Sequence, residues 1–143
     1  MSTDVKKDNI MNVDTVAMDD AHSALVIIDQ TRLPGEVHIL SLTEQKDIWE
    51  AIYLLKVRGA PAIGVAAAIG IYLAAKGINA KHYDDFYAQF KQAKDYLATA
   101  RPTAVNLFWA LDRMEQVVLD NKHKSVDELK RLLHDEAVAI REE

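Results

Sequence analysis

The chain has 143 residues, half of them hydrophobic, with a formal net charge of −5 and a pI near 5.5. That length suffices for one domain with a core, and the acidic balance argues against the basic face that a nucleic-acid partner needs. There is no cysteine, so no disulfide, thiolate metal site or thiol nucleophile can come from these residues.

Residues 1 to about 12 are polar without a sustained period and are predicted to form a mobile leader, which leaves 13–143 as the folded domain. The start also lacks the apolar core of a secretory signal, so a cytoplasmic protein is the expectation. Val13 to Met18 and Ala24 to Asp29 are β-compatible runs separated by the turn-like Asp19-Asp20-Ala21-His22-Ser23 and read as a hairpin. Leu33-Pro34-Gly35-Glu36 has the residues of a type II turn, which predicts a third strand over Val37 to Leu40.

From Ser41 the hydrophobic period shifts toward 3.6, with Thr43 as the predicted N-cap and Ile48, Trp49, Ile52 and Leu55 as one stripe. A second helix is predicted from Ala62 to Ala75, ended by Gly77 as a left-handed cap. This longest apolar run has 14 residues and two glycines, short of the roughly 20 that span a bilayer. Tyr83, Phe86, Tyr87, Phe90, Ala93 and Leu97 mark a third helix. Thr103 to about Leu119 is the fourth, with Val105, Phe108, Trp109, Leu111 and Met114. Ser125 and Glu128 form a capping-box pattern ahead of the fifth. The predicted fold class is α+β: a small antiparallel β-sheet, hairpin plus third strand, followed by a helical bundle of about five helices. The last helix is still periodic at Glu143 with neither a glycine cap nor a following proline, which predicts the N-terminal domain of a larger protein.

Chemistry concentrates in two stretches, Arg58-Gly59-Ala60-Pro61-Ala62-Ile63-Gly64 and Ala100-Arg101-Pro102-Thr103-Ala104-Val105-Asn106-Leu107. Each sets an arginine beside a proline at a predicted helix start, where proline is tolerated because its missing N–H would have no intrahelical partner. The flanking N–H groups and the helix dipole favour an anion, and a guanidinium adds paired charge-assisted hydrogen bonds to a phosphate. Gly59 and Gly64 remove side-chain bulk where a ligand or another backbone comes close. Two such openings can converge on one anion, the alternative being a pair of solvated loop arginines; Asn106, about one turn into its helix, either faces the same cleft or is simply exposed.

Asp29-Gln30-Thr31 can either line a site or hold turn hydrogen bonds. The five histidines show no metal-ligand spacing and read as surface residues. Trp49, Trp109 and the Tyr83–Phe90 group read as core, and Lys91, Lys94 and Lys122–Lys124, interleaved with acids, as solvated faces. No catalytic triad, paired-carboxylate or glycine-rich nucleotide fingerprint is evident.

At these residues the sequence resembles the N-terminal domain of the methylthioribose-1-phosphate isomerase family. The resemblance spans roughly Val13 to the end and rests on Ile28-Asp29-Gln30-Thr31-Arg32-Leu33-Pro34, on Lys56 to Ala68, and on Arg101 to Leu107. It implies an aldose–ketose isomerase of methionine salvage that converts S-methyl-5-thioribose 1-phosphate to S-methyl-5-thioribulose 1-phosphate without a metal or nucleotide cofactor. It also implies that Arg58, Gly59, Ala60 and Arg101 bind substrate. The family's catalytic cysteine and aspartate belong to a Rossmann-like C-terminal domain that would follow Glu143, and the family is typically dimeric through that domain. This segment alone is then expected to be inactive and, without its partner domain, to expose an apolar patch on the last helix. The related regulatory subunits of translation initiation factor 2B share the architecture but are binding components. Isomerases of 5-deoxyribose 1-phosphate or ribose 1,5-bisphosphate are further alternatives, and a ligand-free helical interaction module is a third class.

Overall fold

The computed structural model describes residues 16–29, 35, 38–54, 56–57 and 59–143. The predicted leader, the turn around Pro34, and Leu55 and Arg58 lie outside the described residues.

Three strands form one antiparallel sheet in the order β1 (Val16–Asp19), β2 (Ala24–Ile28), β3 (Ile39–Leu42). The central strand β2 reads Ala-Leu-Val-Ile-Ile, an uninterrupted apolar run, and all but Val26 are buried. The hairpin turns through a short 3-10 segment, Asp20–His22, where the Asp19 carboxylate accepts the His22 N–H at 3.3 Å and Ser23 takes a left-handed φ of 49°. The register sets Val16 opposite Ile27 and Leu25 opposite Leu42. The third strand thus lies two residues later than the sequence period suggests, because pairing with β2 rather than alternation fixes its start.

Five helices follow among the described residues: α1 (Gln45–Tyr53), α2 (Ala60–Lys76), α3 (Tyr83–Ala98), α4 (Val105–Asp120) and α5 (Val126–Glu142). The centre is α2, apolar on every side, as expected of a helix with no solvent face. Ala66, Ala67, Ala68, Ile69, Ile71 and Ala75 have no exposure, and α2 packs against all four other helices and against β1 and β2. Its alanines keep the neighbours close. The last helix buries Val126, Leu129, Leu133, Ala137 and Ile140, so its apolar stripe is covered within this chain. The exposed large apolar side chains on α4 are instead Val105 and Trp109.

Several local expectations change once neighbours are present. Thr43 is not the N-cap of α1; Glu44 is, without a side-chain cap bond. Gly77 does not take a left-handed conformation but stays at φ −83°, ψ −6°. Gly77 still caps α2, its N–H donating to the Leu73 and Ala74 carbonyls at 3.3 and 3.2 Å, and the Lys130 ammonium of α5 donates to the carbonyls of Lys76 at 3.1 Å and Ile78 at 2.7 Å. Lys94 is not a solvated lysine. It is buried between α3 and α4, paired with Asp112 at 2.7 Å and Glu115 at 2.5 Å, while the Tyr87 hydroxyl donates to the other Glu115 oxygen at 2.6 Å. Burial alone would lower the Lys94 pKa, but the two carboxylates together hold it above its ordinary value. Trp109 is not core; it is 47% exposed, with the Arg113 guanidinium 5.4 Å from its ring centre. Trp49 is half-buried, stacked between Tyr53 and Tyr96. His134 links α5 to the hairpin turn through Asp20, at 3.1 Å.

Two predictions follow from this packing. A methyl group at Gly70 would stand 3.0 Å from the Ile48 Cγ2 methyl and 3.5 Å from Leu97 Cδ1. The overpacking cost of roughly 1–3 kcal/mol exceeds the helix-propensity gain of about 1 kcal/mol, so Gly70→Ala is expected to lower the urea midpoint with an unchanged m-value. His134 has a raised pKa, chiefly through its hydrogen bond to Asp20. Its stabilising contribution is therefore full below the ordinary value of 6.5 and is lost as pH rises through the higher folded value. The stability difference between wild type and His134→Ala, measured by urea denaturation, should shrink from about pH 5.5 to about pH 8.5; a constant difference would refute it.

Candidate functional site

A helix N-terminus presents unpaired N–H groups and about half a positive charge. Three of the five helices offset it with acids in the first turn: Asp47 in α1, Asp84 and Asp85 in α3, Asp127 and Glu128 in α5. Helices α2 and α4 have none. Their N-caps are Gly59 and Ala104, which have no side-chain acceptor, whereas Ser125 and Glu128 close α5 with a complete capping box. The first bond of α2 runs from the Ile63 N–H to the Gly59 carbonyl at 3.0 Å. Ala60 and Ala62 consequently keep N–H groups without a backbone partner among the described residues, and Pro61 has none to offer. At α4 both Leu107 and Phe108 donate to the Ala104 carbonyl, at 3.1 and 3.4 Å, which leaves the Val105 and Asn106 N–H groups without a backbone partner among the described residues.

The two helices touch close to these ends. Gly64, one turn into α2, faces the first turn of α4: a methyl group there would lie 3.3 Å from the Asn106 carbonyl oxygen, 3.7 Å from Asn106 Cβ and 3.8 Å from Ala110 Cβ. Gly64 is four residues, about 6 Å, along the axis from Ala60. Glycine is what lets the backbones approach so closely. Gly59 and Ala60, at the start of α2, are exposed, and Asn106, in the first turn of α4, is half-buried.

Arg101 precedes α4 but does not open it. Pro102 and Thr103 occupy a turn closed by the Ala104 N–H to the Arg101 carbonyl at 3.0 Å, and the helix begins only at Val105. The expected proline in the first helical turn is thus corrected for Pro102: proline disfavours helical backbone at the residue before it and suits the second position of a β-turn. Pro61 does sit in the first turn of α2. Arg101 is partly buried, and its Nε–H is shielded from solvent with no hydrogen-bond partner among the described residues. Leaving such a donor unsatisfied costs roughly 1–3 kcal/mol, which a bound oxyanion would relieve.

Of the four substrate-binding residues expected from the sequence, Gly59 and Ala60 form the α2 edge and Arg101 lies in the turn leading to α4. Arg58 lies outside the described residues, so the meeting of two guanidinium groups stays a proposal. Asp29 is buried at the end of β2, with its N–H donating to the His38 carbonyl at 2.7 Å, while Gln30 and Thr31 lie outside the described residues. The missing first-turn acids of α2 and α4 escaped motif reading, although a comparison of the five helix starts would have found them.

Gly59 has φ 91° and ψ 133°, with nothing within 4 Å of where a side chain would begin. Gly59→Ala is therefore expected to destabilise through backbone strain alone, by roughly 1–3 kcal/mol, although there is room for the methyl group. Urea denaturation checks this; a neutral substitution would refute the strain.

Residues 56–143 match the initiation factor 2 subunit family. Among curated relatives, a methylthioribose-1-phosphate isomerase of Symbiobacterium thermophilum is 58% identical over 131 residues, 92% of this chain and 36% of the relative. A 5-deoxyribose 1-phosphate isomerase of Petrotoga mobilis is 48% identical over 130 residues, 91% of this chain and 38% of the relative. Among solved structures, the 5-methylthioribose 1-phosphate isomerase of Pyrococcus horikoshii OT3 aligns over 88% of this chain and 35% of its own, with a TM-score of 0.83 and 40% identity. The delta subunit of translation initiation factor eIF-2B from A. fulgidus aligns over 88% of this chain and 36% of its own, with a TM-score of 0.78 and 38% identity. The chain thus spans a little over a third of the length of these proteins. Two uncompensated helix ends on an α+β frame are set in a sequence that matches over most of its length: the chain belongs to the initiation factor 2 subunit family.

Proposed function

We propose that this chain is the substrate-gripping N-terminal portion of a sugar-phosphate aldose–ketose isomerase, acting on a ribose 1-phosphate substituted at C5. S-methyl-5-thioribose 1-phosphate is the favoured substrate and S-methyl-5-thioribulose 1-phosphate the product. The observations that carry this reading are the contact of α2 at Gly64 with the first turn of α4, two helices without acids in the first turn, and a buried Arg101 Nε–H with no hydrogen-bond partner among the described residues. The names of the relatives supply the substrate class, and 5-deoxyribose 1-phosphate is the alternative within it.

In this reading the N–H groups at Ala60 and Ala62 and the guanidinium of Arg101 hold the phosphate, and Arg58, adjacent in sequence to Gly59, supplies a second guanidinium. The grip fixes the sugar, so that binding energy remote from C1 and C2 serves orientation at the reacting carbons. The hydrogen shift between C2 and C1 falls to catalytic residues of a C-terminal Rossmann-like domain, which also excludes water and carries the homodimer contact in a cytoplasmic enzyme. No catalytic residue is assigned to 13–143, and neither a metal nor a nucleotide has a role in the grip.

In the full-length protein, Arg101→Ala is expected to weaken substrate binding by about 2 kcal/mol, the loss of a charge-assisted contact. Arg58→Ala should do the same. Unchanged affinity in both variants, measured by calorimetry, would reject the site. The purified 143-residue chain should show no isomerase turnover, and turnover above background would overturn the division of labour. A regulatory subunit related to the eIF-2B structure predicts instead a full-length protein with no isomerase activity on either substrate.

A further inference from the structure

Asparagine at position 106 has no part in the phosphate grip as described, yet it stands in the first turn of α4 against Gly64 of α2. Its Cβ lies on the side of α4 that faces Gly64, not on the outward stripe of Val105 and Trp109. Helix side chains lean toward the N-terminus of their own helix, so from this position the carboxamide leans toward the turn that holds Arg101. No hydrogen bond involves that carboxamide among the described residues. The other amides of α4 and its cap are occupied: Gln116 donates to Asp120 at 2.8 Å and Asn121 to the Val117 carbonyl at 2.7 Å. Asparagine is also a poor helix former, since its side chain competes for backbone groups, and here it makes no such bond.

We propose that Asn106 is a specificity-determining contact that reads a hydroxyl group of the sugar, as distinct from its phosphate; this rests on the proposed sugar-phosphate site. The chemistry separates the two tasks. A phosphate accepts hydrogen bonds only, and unpaired N–H groups and a guanidinium match it, whereas the carbonyl half of a carboxamide would face it as a second acceptor. A hydroxyl both donates and accepts, which is what a carboxamide complements. The close approach at Gly64 makes the contact directional, because it fixes the Asn106 backbone against α2 and so sets the distance between hydroxyl reader and phosphate grip. An arginine and helix ends alone would hold any small phosphate; Asn106 supplies the preference for one that carries a sugar.

The test uses the full-length protein with two probes, ribose 1-phosphate and inorganic phosphate, and compares Asn106→Ala with Arg101→Ala by calorimetry. Asn106→Ala should weaken ribose 1-phosphate roughly ten-fold and leave inorganic phosphate unchanged within error. Arg101→Ala should weaken both. Two outcomes overturn the assignment: Asn106→Ala leaving ribose 1-phosphate unaffected, or weakening both probes to the same extent. Failure of the underlying site is distinguishable, since it appears as Arg101→Ala leaving both probes unaffected. Asn106 sits in the half-exposed first turn, and a urea midpoint within error of wild type establishes that a lost affinity is a lost contact.

Discussion

The close packing of α2 against α4 is the constraint on which the rest depends. A helix can be buried on all sides only if its neighbours tolerate its side chains, and α2 meets that condition with alanine and glycine. Where α2 meets the first turn of α4, even alanine would be tight, and Gly64 stands there against the Asn106 carbonyl. The same contact that completes the core brings together two helix ends whose positive ends are uncompensated. Stability and binding thus share one piece of geometry.

Placing charge where it is not neutralised has a cost, and the remainder of the fold offsets it. The other helix starts carry acids, and α5 has its capping box. Charges between elements are also paired: Lys94 with Asp112 and Glu115, and Arg113 with Glu136 and Glu143. Against that background Arg101 stands out, because its buried Nε–H has no partner among the described residues. Among the described residues the one other buried side-chain polar atom without a partner is the Gln45 Oε1 acceptor, and a buried donor left over is the pattern expected where a ligand completes the bonding.

How far the sequence could be read depends on the range of the interaction concerned. Helical periods, the Pro61 position and the Ser125–Glu128 box are local, and the structure has them where the sequence puts them. Trp109 and Lys94 went the other way, because each is decided by a partner on another element or by which stripe of α4 faces inward. Trp109 shares the outward stripe with Val105, while Leu107, Ala110, Leu111, Met114 and Val118 turn inward. Gly77 shows the same limit: it caps the helix as expected but without the left-handed turn, and a lysine more than fifty residues later, Lys130, binds the carbonyls beyond it.

The sequence alone determined the α+β class, the order of strands and helices, and the two arginine–proline stretches, because composition, period and proline chemistry act within a few residues. Tertiary structure alone decided that the stretch at Gly59–Gly64 and the one at Arg101–Asn106 adjoin. It also decided that Pro102 turns the chain before α4 begins, and that Asn106 stands against Gly64 of α2. Those outcomes depend on the distance between two helices far apart in sequence, a distance set by one missing side chain at Gly64 and by the packing around α2.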